Sequence, residues 1–315
     1  MTDKILISIL VPTFNEEKNI MRAYKTLVEV FLGIPKYKYE IIFTDNHSTD
    51  KSFEILNTIA NLDSNVRVIR FSKNVGYQKS LMFAYQAAKG DCSVQIDCDL
   101  QDSPKYIPRM LDLWNQGHHV VYGVRRTLKD GWLISRMRKT FYWLVNALSD
   151  DDLPLNAGEF RLVDRLILDE LQKIEDITPY PRGLISSMGF SQTGFEYDRE
   201  ARISGKSKFP LKDMLSLATD GIFNHSLLPL RVASILSPLI GIITILVILF
   251  YIVGRLFFSQ DWPPGFATIT IILLLSIMLN ALFLGIIGEY LGRVFLQSKR
   301  SSLPIIEKEL NKPVT

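Results

Sequence analysis

The chain has 315 residues, enough for one large domain or two ordinary ones. Its net charge of +3, with no long basic tract and no nucleic-acid motif, excludes an argument for nucleic acid. The mean hydropathy of +0.13 is high for a soluble enzyme, and the excess is local.

From the N-terminus, two periods alternate. Ile5–Val11 is an apolar run of strand length, with nothing ahead of it resembling a signal peptide. Glu16–Leu32 has helical spacing, Tyr39–Thr44 is β-rich, and Asp50–Asn61 is helical again, with Asp50 as its cap. Val66–Phe71 reads as a strand, Tyr77–Lys89 as a helix, and Cys92–Ile96 as a buried strand. Pro104–Asn115 is a further helix and Val120–Tyr122 a further strand, with His118-His119 in the turn between them. This order predicts an α/β domain with a mostly parallel sheet and helices on both faces. Ligands of such sheets bind beyond the carboxyl ends of the strands. Four polar loops fall there: 12–17, 45–50, 73–76 and 97–102. A Rossmann dehydrogenase would carry a Gly-rich fingerprint after its first strand, where this chain has Pro-Thr-Phe-Asn-Glu-Glu.

The loop Asp97-Cys98-Asp99-Leu100-Gln101-Asp102 has two readings. Several carboxylates at one strand end are costly without a cation or a network of donors, and hard divalent cations favour oxygen ligands. The other reading is a solvated acidic turn, with Asp102 or Ser103 capping a helix and Pro104 at its first position. Cys92 and Cys98 belong to one strand region, so a structural disulfide is not expected. The four histidines, His47, His118, His119 and His225, show no metal-ligand spacing.

Trp132–Ser149 lines up Leu133, Met137, Phe141, Leu144 and Leu148, with Arg136, Arg138 and Lys139 off that stripe. That pattern suits a helix lying in a membrane interface; an ordinary amphipathic helix on the domain's own core has the same pattern. Residues 197–208 are polar and basic, suited either to an anionic group or to a solvated loop. Gly205-Lys206-Ser207 is no P-loop, because Glu200 stands where the motif needs glycine. Pro210–Leu228 is a second candidate interfacial segment. Val232–Gly254 and Trp262–Gly288 contain no charged side chain, and each can cross a ~30 Å hydrocarbon core. Arg231 before the first, and Arg293, Lys299, Arg300, Lys308 and Lys312 after the second, predict both termini in the cytoplasm. The expected organisation is a cytoplasmic catalytic domain over 1–228, with interfacial helices at about 132–149 and 210–228. Two transmembrane helices over 229–292 and a cytoplasmic tail over 293–315 complete it.

Taken together, the motifs resemble family 2 glycosyltransferases with the GT-A fold, and more narrowly the polyisoprenyl-phosphate glycosyltransferases, on their bactoprenol glucosyltransferase branch. The resemblance runs from about Ile5 to Arg293. It is carried by Val11–Glu17, Asp97–Asp102, Gly158-Glu159-Phe160-Arg161-Leu162, and the Arg-x-x-Arg-x-x-Gly-x-Ser-Lys pattern ending at Lys208. Two departures stand out: Asn46 replaces a frequent second aspartate, and Glu159 replaces the usual aspartate.

The resemblance implies inverting transfer from a nucleotide sugar to undecaprenyl or another polyisoprenyl phosphate at the inner-membrane face. UDP-glucose is the expected donor and GDP-mannose the alternative. It implies Mg²⁺ or Mn²⁺ held by Asp97, Asp99 and Gln101, and a nucleoside contacted by Pro12, Glu16, Asp45 and Asp97. Asp99 and Glu159 are the expected catalytic pair, with Glu159 positioning the acceptor or serving as a weak base. Arg125, Arg136, Arg199, Arg202, Ser207 and Lys208 are the candidates for the acceptor phosphate or the donor diphosphate. Self-association and a lipid-linked-sugar flippase are further expected partners. A processive polysaccharide synthase would carry a Gln-x-x-Arg-Trp motif and more spans, neither of which occurs here. A non-catalytic membrane scaffold or transporter subunit is the rival of another class; spans without ionisable residues make poor transport machinery.

Overall fold

The computed structural model describes residues 4–126, 157–176, 179–199, 265–298 and 304–312, with scattered positions between 238 and 253. The first three stretches and the last belong to one compact unit, and residues 265–298 to a second.

The first unit is built on an eight-stranded sheet in the order β7-β5-β6-β4-β1-β2-β3-β8. The strands are β1 (Leu6–Thr13), β2 (Lys38–Asp45), β3 (Val66–Phe71), β4 (Cys92–Gln95), β5 (Val120–Arg125), β6 (Ala157–Asp164), β7 (Gln192–Tyr197) and β8 (Ile306–Leu310). Central β1 is apolar at nearly every position because helices cover both faces. Ile7, Ile9 and Val11 pack on one side with helices α1 (Ile20–Leu32), α2 (Ser52–Leu62) and α4 (Ile107–Asn115). Leu10 faces the other side with α3 (Tyr77–Ala87), α5 (Arg165–Gln172) and α6 (Pro181–Ser187). A one-turn 3₁₀ helix, Pro104–Tyr106, precedes α4, with Pro104 at its first position.

The sheet is mixed rather than mostly parallel. β4, β1, β2 and β3 run parallel, as do β5 and β7, but β6 runs antiparallel to both β4 and β5, and β8 antiparallel to β3. The β-α alternation of the first 125 residues stops before these strands, so it cannot report their direction. Residues 304–312 also correct the reading of a separate C-terminal tail: they supply β8, an edge strand of this sheet.

The second unit contains α7 (Phe266–Ser298), 33 residues and about 50 Å long. Its window Leu275–Gly292 has a mean hydropathy of 1.6 and none of it is buried. Leu273, Ile277, Met278, Leu284 and Leu291 are all exposed. The earlier span, Val232–Gly254, lies largely outside the described residues; those described within it are helical. The interfacial segments 132–149 and 210–228 lie outside them as well.

Candidate active site

The four polar loops meet at the carboxyl ends of β1–β4 and are tied to one another. Asn15 N–H donates to Ser48 Oγ at 2.9 Å and Glu16 N–H to Ser52 Oγ at 2.8 Å, joining the first loop to the second. Asp50 accepts from Ser52 N–H at 2.9 Å, so it does satisfy a first-turn amide of α2, although Lys51 occupies the backbone cap position. Asn46 Oδ1 accepts from Val75 N–H at 2.8 Å, joining the second loop to the third; the amide that replaces an aspartate is structural here. Tyr77 O–H donates to Asp97 Oδ1 at 2.8 Å, joining the third to the fourth. Asn15, His47 and Leu100 all adopt positive φ, near +54° to +59°, in these loops. Non-glycine residues held in that region cost about 1–3 kcal/mol each and concentrate at functional sites.

The acidic loop continues the alternation of a strand. Ile96, Cys98, Leu100 and Asp102 turn inward and are buried, leaving Asp97, Asp99 and Gln101 partly exposed on the other side. Asp97 Oδ1 also accepts from Gln95 Nε2 at 3.1 Å. Burial, then the charge of Asp102, then Asp99 and Glu159 against the opposing Tyr77 bond, push the Asp97 carboxyl up to about 6. Glu159 reaches this point from β6. β4 and β6 end their pairing at Gln95 and Arg161, and just beyond it the Glu159 carboxylate is close enough to act on Asp97. Glu159 Oε2 lies 3.9 Å from Arg161 Nη2. It, Gln95 Oε1 and Arg161 Nε are buried without a hydrogen-bond partner among the described residues. Buried polar atoms are rarely left so.

Two crowded carboxylates, a third across from them and orphaned acceptors form an oxygen-rich donor set that fits a hard divalent cation. Among the described residues no three His, Cys, Asp or Glu close into a metal cage. An open site of the Mg²⁺ type takes one or two carboxylates and completes its shell with waters and phosphates.

Asp102 corrects the cap reading. Neither it nor Ser103 caps the 3₁₀ helix through its side chain. Asp102 is instead 2% exposed, accepts hydrogen bonds from Arg125 and Tyr197, and forms an ion pair with Arg199. Arg125 Nη2 lies 3.3 Å away, Arg199 Nε 3.2 Å, and the Tyr197 hydroxyl makes a short bond to it. The β5–β7 register pairs Arg125 directly with Tyr197. Tyr197 is clamped among Tyr106, Phe160 and Phe195. Gly158 leaves room for the Arg125 guanidinium: a Cβ there would meet Arg125 Nη2 at 2.8 Å and displace it.

Asp45 is fully buried; it accepts from Ser48 N–H and pairs with Arg70 at 3.1 Å, so its carboxylate shapes the second loop from within. Pro12 is buried in β1, and Glu16 accepts from Asn19 Nδ2 at 2.6 Å. The structure places Asp99, Glu159 and Asp102 close enough to act on Asp97, sets Arg125 and Arg199 around Asp102, and ties Gln101 to Asp99 through its backbone N–H. Arg136, Arg202, Ser207 and Lys208 lie outside the described residues. Sequence reasoning missed Tyr77 and Gln95. Gln95, a lone amide in a fully buried strand, was the available signal.

Comparison with known proteins gives a family and near full-length relatives. Residues 8–172 match the model of glycosyl transferase family 2. An uncharacterized glycosyltransferase of Bacillus subtilis, YkcC, is 38% identical over 98% of this chain and 95% of its own length. A bactoprenol glucosyl transferase of Shigella phage SfV is 32% identical over 97% of this chain and 99% of its own. Among solved structures, glucosyl-3-phosphoglycerate synthase from Mycobacterium tuberculosis superposes with a TM-score of 0.43 at 17% identity, covering 70% of this chain and 78% of that one. With a family match over half its length, on a mixed α/β sheet, the chain belongs to glycosyl transferase family 2.

Proposed function

We propose that this glycosyltransferase moves a sugar, glucose from UDP-glucose in the first instance, onto a polyisoprenyl phosphate at the cytoplasmic face of a membrane. The observation that carries the reading is the convergence of Asp97, Asp99 and Glu159 at the strand ends of a family 2 domain. The lipid acceptor is supported by near full-length similarity to proteins named bactoprenol glucosyl transferases and by the exposed apolar face of α7.

Connectivity supports the two-span topology. β7 and β8 are strands of one sheet, so the chain leaves that folded unit after residue 199 and is back in it by 304. Whatever crosses a bilayer between those points must cross an even number of times. Of the apolar runs, 232–254 and 262–288 satisfy that parity as a hairpin.

In this reading the acceptor phosphate oxygen attacks the anomeric carbon, and the bond to the donor diphosphate breaks with its electron pair leaving on the diphosphate. Asp97, Asp99 and Gln101 would hold Mg²⁺ or Mn²⁺, which supplies charge neutralisation to that leaving group. A phosphate monoester with a second pKa near 6 is largely ionised at neutral pH and needs little help from a base. Glu159, set beside Asp97, orients the acceptor. Arg125 and Arg199, with Arg202, Ser207 and Lys208 further along, offset the repulsion between two anionic substrates.

Purified protein with Mn²⁺ or Mg²⁺ is expected to transfer radiolabelled glucose from UDP-glucose into an organic-extractable undecaprenyl lipid. No transfer from any of a panel of UDP- and GDP-sugars would overturn the reading. Glu159→Gln is expected to lower the rate only about tenfold or less, since general-base catalysis contributes some 10²–10⁴-fold; a loss beyond 10²-fold would assign it proton transfer. Arg202→Ala and Lys208→Ala are each expected to raise KM for the lipid phosphate about tenfold, the loss of one charge-assisted contact. Unchanged acceptor kinetics in both would remove them from the site.

A further inference from the structure

The C-terminal strand reaches the second polar loop through Glu307, which contacts both Arg70 and His47. Opposite β3, β8 pairs Lys308 with Arg70 but Ile306 with Phe71, so Glu307 is the extra residue of a bulge. In unbroken register Glu307 would lie opposite Phe71 and share a face with Glu309. The bulge re-aims it to the Arg70 side, as bulges near binding sites do. Its Oε2 lies 3.0 Å from Arg70 Nε and 3.2 Å from His47 Nδ1. The rest of the Arg70 fork faces inward: Nη1 is 3.1 Å from Asp45 Oδ2 and Nη2 donates to Ser48 O at 3.5 Å. Its guanidinium lies over the Phe53 ring at 4.4 Å. Arg70 is thus held from outside by Glu307 and holds the buried Asp45 from inside. Through Ser48 the same loop supports Asn15 of the first motif.

We propose that Glu307 is a positioning residue of the donor site, acting through Arg70 on Asp45 and the loop that follows it. The inference rests on the nucleotide-sugar reading above. Stability alone does not account for the arrangement: Glu307 is 47% exposed, and such surface pairs contribute little. The anchoring of β8 is elsewhere, in Glu309 with Arg67 at 2.6 Å, both 12% exposed, and in Asn311 Nδ2 on the carbonyls of Ala60, Asp63 and Val66.

That separation gives the test. Full-length protein in detergent is assayed for UDP binding, for KM toward UDP-glucose and undecaprenyl phosphate, and for thermal unfolding, as the parent and as Glu307→Ala, Glu307→Asp and Glu309→Ala. Glu307→Ala is expected to raise the UDP Kd and donor KM about three- to tenfold, the scale of one hydrogen bond. Its kcat and acceptor KM stay within about twofold, and Glu307→Asp recovers part of the loss. Glu309→Ala is expected to lower the unfolding temperature more while moving donor KM less. An unchanged donor KM in Glu307→Ala, or an equal rise in Glu309→Ala, would overturn the inference while the parent still binds UDP. A parent that binds no nucleoside diphosphate would overturn the donor reading and, with it, this role for Glu307.

Discussion

Asp99→Asn is expected to lower sugar transfer by about 10²–10³-fold, the scale lost when a preorganised electrostatic stabiliser of the transition state is removed. The substitution keeps size and shape. Asp99 Oδ1 accepts from Gln101 N–H at 3.1 Å, and an asparagine oxygen can accept the same bond, so the turn after β4 should hold. What is lost is one negative charge beside Asp97. That loss would weaken the hold on a divalent cation while relieving Asp97, whose carboxyl is already pushed up by burial and by its acidic neighbours. The two effects are separable. Initial rates across a Mn²⁺ titration should show a higher metal requirement and a lower ceiling in Asp99→Asn, while thermal unfolding stays near the parent's. Asp112→Asn, on the exposed side of α4, should change neither. A parent rate that survives EDTA, or full activity in Asp99→Asn, would remove the cation from the reaction.

The loops around Asp99 were legible in the sequence because their signals are local. β1 to β4 declared themselves as apolar runs, and the first four polar loops had to follow them. Helix starts were less legible. Spacing extends α1 back to Glu16, whereas the helix begins at Ile20. Asn15 adopts φ +54° and is tied to Ser48, and residues 16–19 close a turn in which Asn19 N–H donates to Glu16 O at 2.8 Å. A periodic pattern cannot report a loop conformation set by a neighbour across the sheet. β6 and β8 were missed for a related reason. Ile306-Glu307-Lys308-Glu309-Leu310 carries three charges in five residues, as an edge strand should, and alone it reads as a solvated tail. Its identity as a strand comes from β3, far away in the chain. Glu159 shows the opposite case. The motif around it was legible from resemblance, but only the β4–β6 pairing explains why a residue there lies close to Asp97.

The same distance in sequence hid the role of Asp102, where the second large effect is expected. Asp102→Ala should lower the stability of the catalytic unit by roughly 2–3 kcal/mol. Breaking a fully buried ion pair costs about 3–5 kcal/mol, and the lower figure reflects guanidiniums that are 21% and 29% exposed. For a unit of this size that corresponds to a fall of roughly 5–10 °C in the unfolding temperature. The variant leaves Arg125 and Arg199 as neighbouring cations with no shared anion, and the Tyr197 hydroxyl buried without its acceptor. Asp102→Asn should cost less, because its amide oxygen still accepts one bond, and Tyr197→Phe least, about 1 kcal/mol for one neutral donor. A helix cap would also lose about 1 kcal/mol on truncation to alanine, so magnitude alone is a weak discriminator. Coupling is a stronger one. In a double-mutant cycle between Asp102→Ala and Arg199→Ala, an ion pair returns an interaction energy of about 1–3 kcal/mol, whereas a cap and a distant arginine would add independently. Additive melts in that cycle would return Asp102 to the role of a turn residue; coupled melts make it the anion around which the two arginines are set, ready to face an anionic substrate.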